Sequence, residues 1–436
     1  MSEFWDCGNT EPCALAGAAA FFAGIPGGEI LANGPLWCYF YALRYLEHAA
    51  YGIAERFHGS QPDNNAVVYG TEKFLLAALD KIKKKQVKPA VLLIENSCSI
   101  GLIGDDIAGI AKEAKLDFPV VTMDCGGLMG NFAKGYAGAA VKLFETISIR
   151  SFAKKEPRLI NVLGLTDFYF NGKADREEIL RILAKAGYKI NVVLGAGSPL
   201  DKIRDIDKAA LNVVINEELG MPVAQYLQQK YQIPFVIAGM PYGIEGTKSW
   251  LQRITRQIAA NMTAVYAECD EMSEHLLAWN NDICCSWGNL WFDNVVIYAA
   301  GTAALGLAGA LRGEWLDTAY LQVVCQQKII TVDLYSSMPD KVYNMEDDAD
   351  IVKEKLKISN NTLVLGSSNE NRVVLRQRKN NNVFCNIAYP SKEEVQLINY
   401  PFAGIKGSAY MLQRLWNVFI HQKINRSFGV DMYADK

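Results

Sequence analysis

Three cysteines in the first quarter of the sequence are the residues best suited to hold a metal. Cys13 follows a proline and opens a run of small residues, Cys38 begins an aromatic segment, and Cys98 follows an apolar stretch. Each thiol is predicted near the end of a helix or strand, where backbone N–H groups favour the thiolate form. Three thiolates from three separate turns could therefore converge on one soft metal ion or iron–sulfur cluster.

The segments around these cysteines are predicted to alternate between strands and helices. The sequence indicates a helix over residues 37–57, a strand over residues 66–70, and a helix over residues 72–85 that Thr71 caps. A further apolar strand over residues 90–94 follows. Such alternation, joined by short glycine turns, is typical of doubly wound parallel sheets.

Size and composition narrow the functional classes. A chain of 436 residues can hold two or three domains, and its net charge of −3 gives no reason to expect nucleic acid as a partner. The N-terminus lacks the pattern of a secretory signal. The longest apolar stretches, residues 14–25 and 295–311, are short or broken by glycines, so no membrane span is predicted. We expect a cytoplasmic protein.

Seven further cysteines are predicted to be mostly buried thiols, because free cysteine is among the most buried residue types and disulfides are rare in unsecreted chains. They are Cys7, Cys125, Cys269, Cys284, Cys285, Cys325 and Cys385. Cys7 is the exception, because it lies six residues before Cys13 and could reach the same cluster.

Two glycine-rich loops later in the chain are candidate ligand sites. Gly239, Gly243 and Gly246 follow one predicted parallel strand, and Gly366 ends another. Open α/β sheets bind ligands at the carboxyl ends of their strands. We therefore predict that these four glycines contact a cofactor or substrate.

The settings of the three cysteines resemble the nitrogenase component 1 family. Cys38 lies 25 positions after Cys13, and Cys98 lies 60 positions after Cys38. The run Ile103-Gly104-Asp105-Asp106 follows the third cysteine, as it does in the family pattern. That family includes the nitrogenase molybdenum–iron protein subunits, their cofactor-assembly homologues and the dark-operative tetrapyrrole reductases.

The resemblance covers nearly the whole chain and implies a fold. We expect three Rossmann-like α/β domains with parallel sheets around a central cavity. Their implied ranges are residues 1–155 for the cluster-binding domain, 156–290 for the second, and 291–436 for the third with a C-terminal helix. Substrate would lie between domains, near the predicted glycine loops.

The resemblance also implies cofactors and partners. Cys13, Cys38 and Cys98 would hold a [4Fe–4S] cluster with one ligand from elsewhere, or half of a bridged [8Fe–7S] cluster across a dimer. A separate ATP-dependent iron protein would dock over the first domain and supply low-potential electrons. The chain would form a homodimer, or a heterodimer or heterotetramer with a paralogous subunit.

Two departures from the family concern the iron–molybdenum cofactor of nitrogenase α subunits. Asn216 stands where the cofactor's cysteine ligand is expected, and no histidine lies between Pro390 and Phe402. The four histidines fall elsewhere, at His48, His58, His275 and His421. We therefore expect a β-like partner, or a complex that reduces something other than dinitrogen.

Three functions stay open from the sequence. The first is a reductase subunit that acts on a tetrapyrrole or on a small unsaturated or sulfur-containing molecule. The second is an assembly scaffold that holds a cluster precursor and passes it on. The third is a nucleotide- or sugar-binding α/β protein whose cysteines are only buried. Asp105 and Asp106 could donate protons, although capping of a helix is the favoured interpretation.

Overall fold

Among the described residues, the strands form three separate sheets, and their pairs are parallel. The computed structural model describes residues 12–331, 334, 339–347, 358–376, 381–398 and 400–428. Within those ranges no helix is long and apolar enough to cross a membrane. Three parallel sheets with intervening helices confirm the predicted α/β fold class.

The first sheet has four strands in the order β2-β1-β3-β4. They are β1 (Gly28–Asn33), β2 (Phe57–Gly59), β3 (Val91–Asn96) and β4 (Val120–Asp124). The helices of this region are α1 (Ala14–Ala23), α2 (Leu36–Glu47), α3 (Ala66–Tyr69), α4 (Glu72–Lys83), α5 (Cys98–Ile103), α6 (Ile107–Glu113) and α7 (Phe132–Thr146). The winding direction reverses between β1 and β3, and open sheets bind ligands at the carboxyl ends of such strands.

The second sheet repeats this pattern in the order β6-β5-β7-β8. Its strands are β5 (Glu156–Leu163), β6 (Lys189–Val193), β7 (Ala209–Val214) and β8 (Phe235–Ile237). The helices in this stretch of sequence are α8 (Gly172–Lys185), α9 (Leu200–Ile203) and α10 (Glu217–Tyr231).

Within the described ranges, the third sheet has five strands in the order β11-β10-β9-β12-β13. They are β9 (Trp291–Ala299), β10 (Asp317–Cys325), β11 (Lys341–Asn344), β12 (Thr362–Gly366) and β13 (Val383–Asn386). The later helices are α11 (Ile244–Thr255), α12 (Thr263–Trp287), α13 (Gly301–Ala310), α14 (Ser368–Arg376) and α15 (Gly404–Phe428). A π-helical turn, Leu311–Trp315, follows α13.

An apolar layer between the first sheet and helix α4 forms part of the core. Leu75, Leu79 and Ile82 recur along one face of α4 and are buried with Leu92 and Ile94 of β3. This helical spacing of apolar residues explains why the segment folds as a helix on the sheet, with its charged residues facing outward.

Several predicted elements of the first region were wrong. The predicted strand over residues 66–70 is the short helix α3, and the predicted helix over residues 37–57 ends at Glu47. Asp63 explains the first error, because its side chain accepts hydrogen bonds from the backbone of Asn65 and Ala66 at 2.9 and 3.1 Å and starts a turn.

Further elements were missed by the sequence patterns. Strands β1 and β2 were not predicted, and neither were strands β10 and β11 or the long helix α12. Only Val265 and Cys269 of α12 are buried, so its apolar periodicity is weak. A strand was predicted over residues 328–333, but its described part, 328–331, has no strand. The predicted helix over residues 345–356 lies mostly outside the described residues.

The described residues divide into two compact units. One contains residues 12–168 and 188–237 and holds the first two sheets. The other contains residues 169–187 and the described part of 238–428, and it holds the third sheet. The three domain boundaries taken from the resemblance stay a prediction.

Candidate functional site

Cys13 is positioned by the close packing of two helices. It is the N-cap residue of α1, in which all ten residues are buried and most are small. A Cβ atom on Gly17 would lie 1.9 Å from the carbonyl oxygen of Phe132, and one on Gly135 would lie 1.9 Å from that of Ala14. Only glycine permits this approach of α1 and α7, which explains the run of small residues.

Cys98 is the first residue of α5 and follows the carboxyl end of β3. A Cβ atom on Gly126 would lie 2.7 Å from the Cys98 sulfur. One on Gly127 would lie 3.7 Å from that sulfur and 3.5 Å from Cβ of Cys13. Cys13 and Cys98 therefore flank the same glycine, although they are far apart in the sequence.

Cys38 completes the group from the third position of α2. Burial raises the pKa of Cys38, and the neighbouring charges of Cys13 and Cys98 raise it further. A hydrogen bond with Ser97 acts in the opposite direction and lowers the pKa. The structure thus brings the three predicted cysteines together at the strand ends where this fold binds ligands.

The chemistry of this group fits an iron–sulfur cluster. Among the residues that the structure describes, no three or more His, Cys, Asp or Glu side chains surround a single-ion site. A cluster contains several iron atoms, so its thiolates bind different atoms rather than meeting at one point. Gly126 and Gly127 have no side chains, and a Cβ atom on Gly126 would collide with the Cys98 sulfur. The metal-binding role of the cysteines stays a prediction.

The other cysteines divide by burial. Cys125, Cys269, Cys325 and Cys385 are buried, whereas Cys284 is half-buried and Cys285 is exposed. The prediction of buried thiols therefore holds for four of these six. Cys7 lies outside the described residues.

A buried acid and thiol lie next to the cysteine group. The Cys125 thiol donates a hydrogen bond to Oε2 of Glu95 at 3.4 Å. Burial raises the pKa of Glu95 well above its ordinary value, and the hydrogen bond from Cys125 opposes that shift. Glu95 also contributes to the raised pKa of Cys38. Sequence patterns did not single out this pair.

A row of polar side chains crosses the carboxyl ends of the first sheet. Ser60 Oγ donates to Asn33 Oδ1 at 2.7 Å, and Asn33 Nδ2 donates to Asn96 Oδ1 at 2.9 Å. Asn96 Nδ2 in turn donates to Asp124 Oδ1 at 2.8 Å. This row, from Ser60 to Asp124, is called the amide row below. It links the four strand ends beside the loops that carry Cys98 and Gly126.

The two aspartates of the family motif have separate structural roles. Asp106 caps α6 by accepting a hydrogen bond from the Gly109 amide at 2.9 Å, as predicted. Asp105 accepts from the backbone amide of Thr71 at 2.6 Å and also from its hydroxyl group. Thr71 is the N-cap residue of α4, as predicted, but its hydroxyl bonds Asp105 and not a backbone amide of the helix.

The first predicted glycine loop is filled by a carboxylate of the same chain. Glu314, from the π-helical turn, accepts hydrogen bonds from the amides of Ile244, Glu245 and Gly246 at 2.6, 3.0 and 3.3 Å. A Cβ atom on Gly243 would lie 2.2 Å from Glu314 Oε1. Glu314 thus binds the start of α11, where a carboxylate is stabilised by the helix dipole.

The second predicted loop is arranged in the same way. Gly366 ends β12, and Oε2 of the buried Glu370 accepts hydrogen bonds from the amide and hydroxyl of Ser367 at 2.7 and 2.6 Å. Ligand contacts for Gly239, Gly243, Gly246 and Gly366 stay a prediction. Neither Glu314 nor Glu370 was identified from the sequence.

Exposed apolar side chains lie beside each part of the cysteine group. Leu36 and Trp37 precede Cys38 directly, and Trp37 stacks on Tyr41 with ring centroids 6.0 Å apart. The other members are on α5 and next to Gly127. This set is called the apolar rim and consists of Leu36, Trp37, Tyr41, Leu102, Leu128 and Met129. Clustered exposed apolar side chains mark interaction sites.

Comparison with known proteins assigns the chain to a family. The model of the nitrogenase component 1 type oxidoreductases matches residues 13–420. The chain belongs to this family. The match begins at Cys13 and includes the three cysteines, the glycine loops and most of α15.

The individual relatives described next are 26–28% identical to this chain over the aligned residues. The chain is 28% identical over 250 residues to the nitrogenase iron-molybdenum cofactor biosynthesis protein NifE of Clostridium pasteurianum, covering 56% of this chain and 53% of the relative. It is 26% identical over 288 residues to the nitrogenase molybdenum-iron protein alpha chain of the same organism, covering 61% and 53%. It is 26% identical over 220 residues to a subunit of the light-independent protochlorophyllide reductase of Chloroflexus aggregans, covering 49% and 39%. The matches thus span about half or less of these relatives' lengths.

A solved structure supports the fold. Nitrogenase Cp1 at pH 6.5 superposes with a TM-score of 0.76 at 15% sequence identity, over 98% of this chain and 95% of that chain. Likeness at this identity shows the shared fold and nothing finer.

Proposed function

We propose that the chain is a subunit of a nitrogenase-like reductase complex in which Cys13, Cys38 and Cys98 hold an iron–sulfur cluster. The supporting observation is their convergence, because Cys13 and Cys98 flank Gly127 and both raise the pKa of Cys38. A bound cluster would supply low-potential electron transfer, which soft thiolate ligands support. Family membership makes reduction the favoured chemistry.

The protein's own residues set the conditions for binding the cluster. Each thiol must lose its proton before it can bind iron. The pKa of Cys38 is raised by burial and by its two cysteine neighbours, so Cys38 is reluctant to ionise in the metal-free chain. We therefore expect iron binding to release protons and to become weaker as the pH falls.

The exposure of the apolar rim favours the presence of a partner subunit. Trp37 and Leu102 are 65% and 78% exposed, and both lie beside cysteines of the group. A second copy of this chain or a paralogue would cover the rim and supply the missing cluster ligand, unless Cys7 supplies it. A separate ATP-dependent iron protein would deliver the electrons.

The position of Asn216 argues against a nitrogenase α-type cofactor site. Its side-chain amide is buried and donates to the carbonyl oxygen of Gly164 at 2.7 Å. An amide used in this way is no substitute for a thiolate ligand. We therefore propose a substrate other than dinitrogen, or a partner role alongside another catalytic chain.

An assembly scaffold is the second candidate. The similarity to the cofactor biosynthesis protein NifE favours it, since that relative's name describes cofactor assembly. A scaffold would use the same three cysteines but would release its cluster to an acceptor protein without turnover.

The first experiment measures iron and sulfide in anaerobically purified protein. Cys38→Ala should remove most of the iron, and Cys285→Ala, an exposed cysteine on α12, should leave it unchanged. A colourless native protein, or full iron content in the Cys38 variant, would contradict the proposal. The colourless result would favour the metal-free nucleotide- or sugar-binding alternative.

A second experiment separates reductase from scaffold. The loaded protein is mixed with an iron protein, ATP and dithionite, and substrate reduction is followed. In parallel, transfer of iron to a metal-free acceptor is measured without ATP. Turnover that depends on ATP and reductant supports the reductase, whereas transfer without turnover supports the scaffold.

A further inference from the structure

A cavity lies beside the edge strand β2 of the first sheet. Its volume is about 660 Å³, and it is lined by α2, the 3-10 turn Ile53–Glu55, β2 with its following loop, α4 and Lys85 just beyond α4. Small-molecule sites commonly enclose roughly 300–1,000 Å³. The wall residues that bear on a ligand are Tyr39, Glu55, His58, Phe74, Lys81 and Lys85.

One side of the cavity is fixed by a buried carboxylate. Glu29 accepts hydrogen bonds from His58 Nε2 at 2.8 Å and from Lys85 Nζ at 2.6 Å. Burial acts to raise the pKa of Glu29, but the bonds from His58 and Lys85 outweigh it and lower the pKa. The ionised Glu29 therefore holds both side chains in place, and much of the charge of Lys85 is neutralised.

Lys81 supplies the cation that Lys85 does not. It lies on α4, four positions before Lys85, and both side chains line the cavity. Among the described residues its ammonium group forms no ion pair or hydrogen bond. The neighbouring Lys84 differs, because it pairs with Asp80 at 2.6 Å and does not line the cavity.

The remaining wall combines aromatic surface with one opposing charge. Tyr39 packs on the buried Phe57 with ring centroids 5.2 Å apart, and Phe74 of α4 also lines the space. Aromatic faces of this kind bind flat rings by stacking. Glu55 also lines the cavity and repels an anion, whereas Lys81 attracts one.

The loop at the rim of the cavity has an unusual backbone. Gln61 has φ +48°, in the left-handed region, although it is not glycine. Such residues cost of order 1–3 kcal/mol and are concentrated at ligand sites and clamps. A Cβ atom on Gly59 would lie 3.3 Å from the Tyr39 ring, so the loop is also tightly packed against the aromatic wall.

We propose that this cavity binds a small molecule made of a flat aromatic ring and one anionic group. The ring packs against Tyr39 and Phe74, and the anionic group pairs with Lys81. This site uses none of the three cysteines, so the proposal stands apart from the assignment of the iron–sulfur cluster.

The test is calorimetric titration of the full-length chain with defined probes. Phenyl phosphate and benzoate carry both parts of the ligand, inorganic phosphate carries the anion alone, and phenol carries the ring alone. We expect one of the first two to bind once per chain, with inorganic phosphate and phenol at least about tenfold weaker. The stronger of the two identifies the anion as phosphate or carboxylate.

Three variants locate the site. Lys81→Ala and Phe74→Ala should each raise Kd about tenfold, and Lys84→Ala, at the C-cap of the same helix, should leave it unchanged. Lys81 is exposed, so its removal should not affect folding, and thermal unfolding of each variant verifies this. The proposal is overturned if neither ring-bearing anion binds at about 1 mM, if inorganic phosphate binds equally well, or if Lys84→Ala weakens binding as much as Lys81→Ala.

Discussion

The thiol of Cys125 is the hydrogen-bond partner of Glu95 at 3.4 Å, and both side chains are buried within the first sheet region. The second carboxyl oxygen, Oε1, has no partner among the residues that the structure describes. One weak donor therefore satisfies a fully buried acid. The stability of the folded chain should therefore be sensitive to substitutions that remove this hydrogen bond.

Removing the Cys125 thiol should destabilise the chain more than replacing it with a hydroxyl group. Cys125→Ala leaves the Glu95 carboxyl without a partner, and an unsatisfied buried polar group costs about 1–3 kcal/mol. Cys125→Ser keeps a donor in place and should cost less. Urea unfolding of both variants measures the difference, with Cys269→Ala, another buried cysteine, as a packing control. Equal losses for the alanine and serine variants would contradict this account.

Asp175 should make stability depend on pH. Burial raises the pKa of Asp175 from 3.8 to about 7, while hydrogen bonds from the amides of Ala403 and Phe402 oppose the shift. The folded state therefore binds this proton more tightly than the unfolded state. The contribution of Asp175 to the free energy of unfolding is complete below about pH 4. It falls by about 4 kcal/mol as the pH rises to about 7 and then stays constant.

The matching variant is Asp175→Asn. The amide oxygen can still accept from Phe402 and Ala403, which donate to Asp175 at 2.6 and 2.8 Å, but it carries no charge. Unfolding free energies at pH 4, 5.5 and 7.5 should therefore change less with pH in the variant than in the native chain. Asp282→Asn, an exposed site on α12, should leave the profile unaltered. Parallel profiles for Asp175→Asn and the native chain would refute the assignment.

Two glycines at the start of α11 should respond in opposite ways to alanine. Gly243 has φ +77°, and a Cβ atom there would lie 2.2 Å from the Glu314 carboxylate. Gly246 lies within the helix, and a Cβ atom there would meet nothing within 4 Å. We expect Gly243→Ala to cost about 2 kcal/mol or more, and Gly246→Ala to stabilise by about 0.5–1 kcal/mol. Thermal unfolding measures both. Similar effects of the two changes would show that Glu314 does not constrain the turn.

The apolar rim should control association. Trp37→Ala is expected to weaken self-association, or association with a paralogue, about tenfold or more, because exposed tryptophans at interface centres contribute strongly to binding. Trp279 on α12 is 57% exposed against 65% for Trp37, so Trp279→Ala is the matched control. Sedimentation velocity over a range of concentrations gives the result. A larger effect for Trp279→Ala would indicate that the interface lies on the unit that contains α12 and not at the apolar rim.

Features that depend on neighbouring residues could be predicted from the sequence, whereas contacts between residues far apart in the sequence could not. Cys98 lies shortly after the apolar run of residues 90–94, and Asp106 directly precedes the helix that it caps, so both settings could be predicted. Glu314 lies 70 positions from Ile244, whose amide it binds, and no short-range pattern links them. The same reason explains why the bond between Glu95 and Cys125 was not foreseen.

Local propensity also failed where side chains or burial overrode it. Val67 and Val68 favour a strand, yet Asp63 starts a helical turn there. Strand β1 includes Glu29, a residue that seldom lies in a fully buried strand, and its carboxylate accepts hydrogen bonds from His58 and Lys85 elsewhere in the chain. Tertiary partners of this kind cannot be deduced from spacing alone.

The amide row has a consequence for how a metal would enter the protein. Its hydrogen bonds join Ser60, Asn33, Asn96 and Asp124 across all four strand ends of the first sheet. The turns carrying Cys38 and Cys98 therefore start from ends that the polypeptide already cross-links. We expect the metal-binding surface to be formed before any metal binds, so that binding would not require this part of the chain to fold.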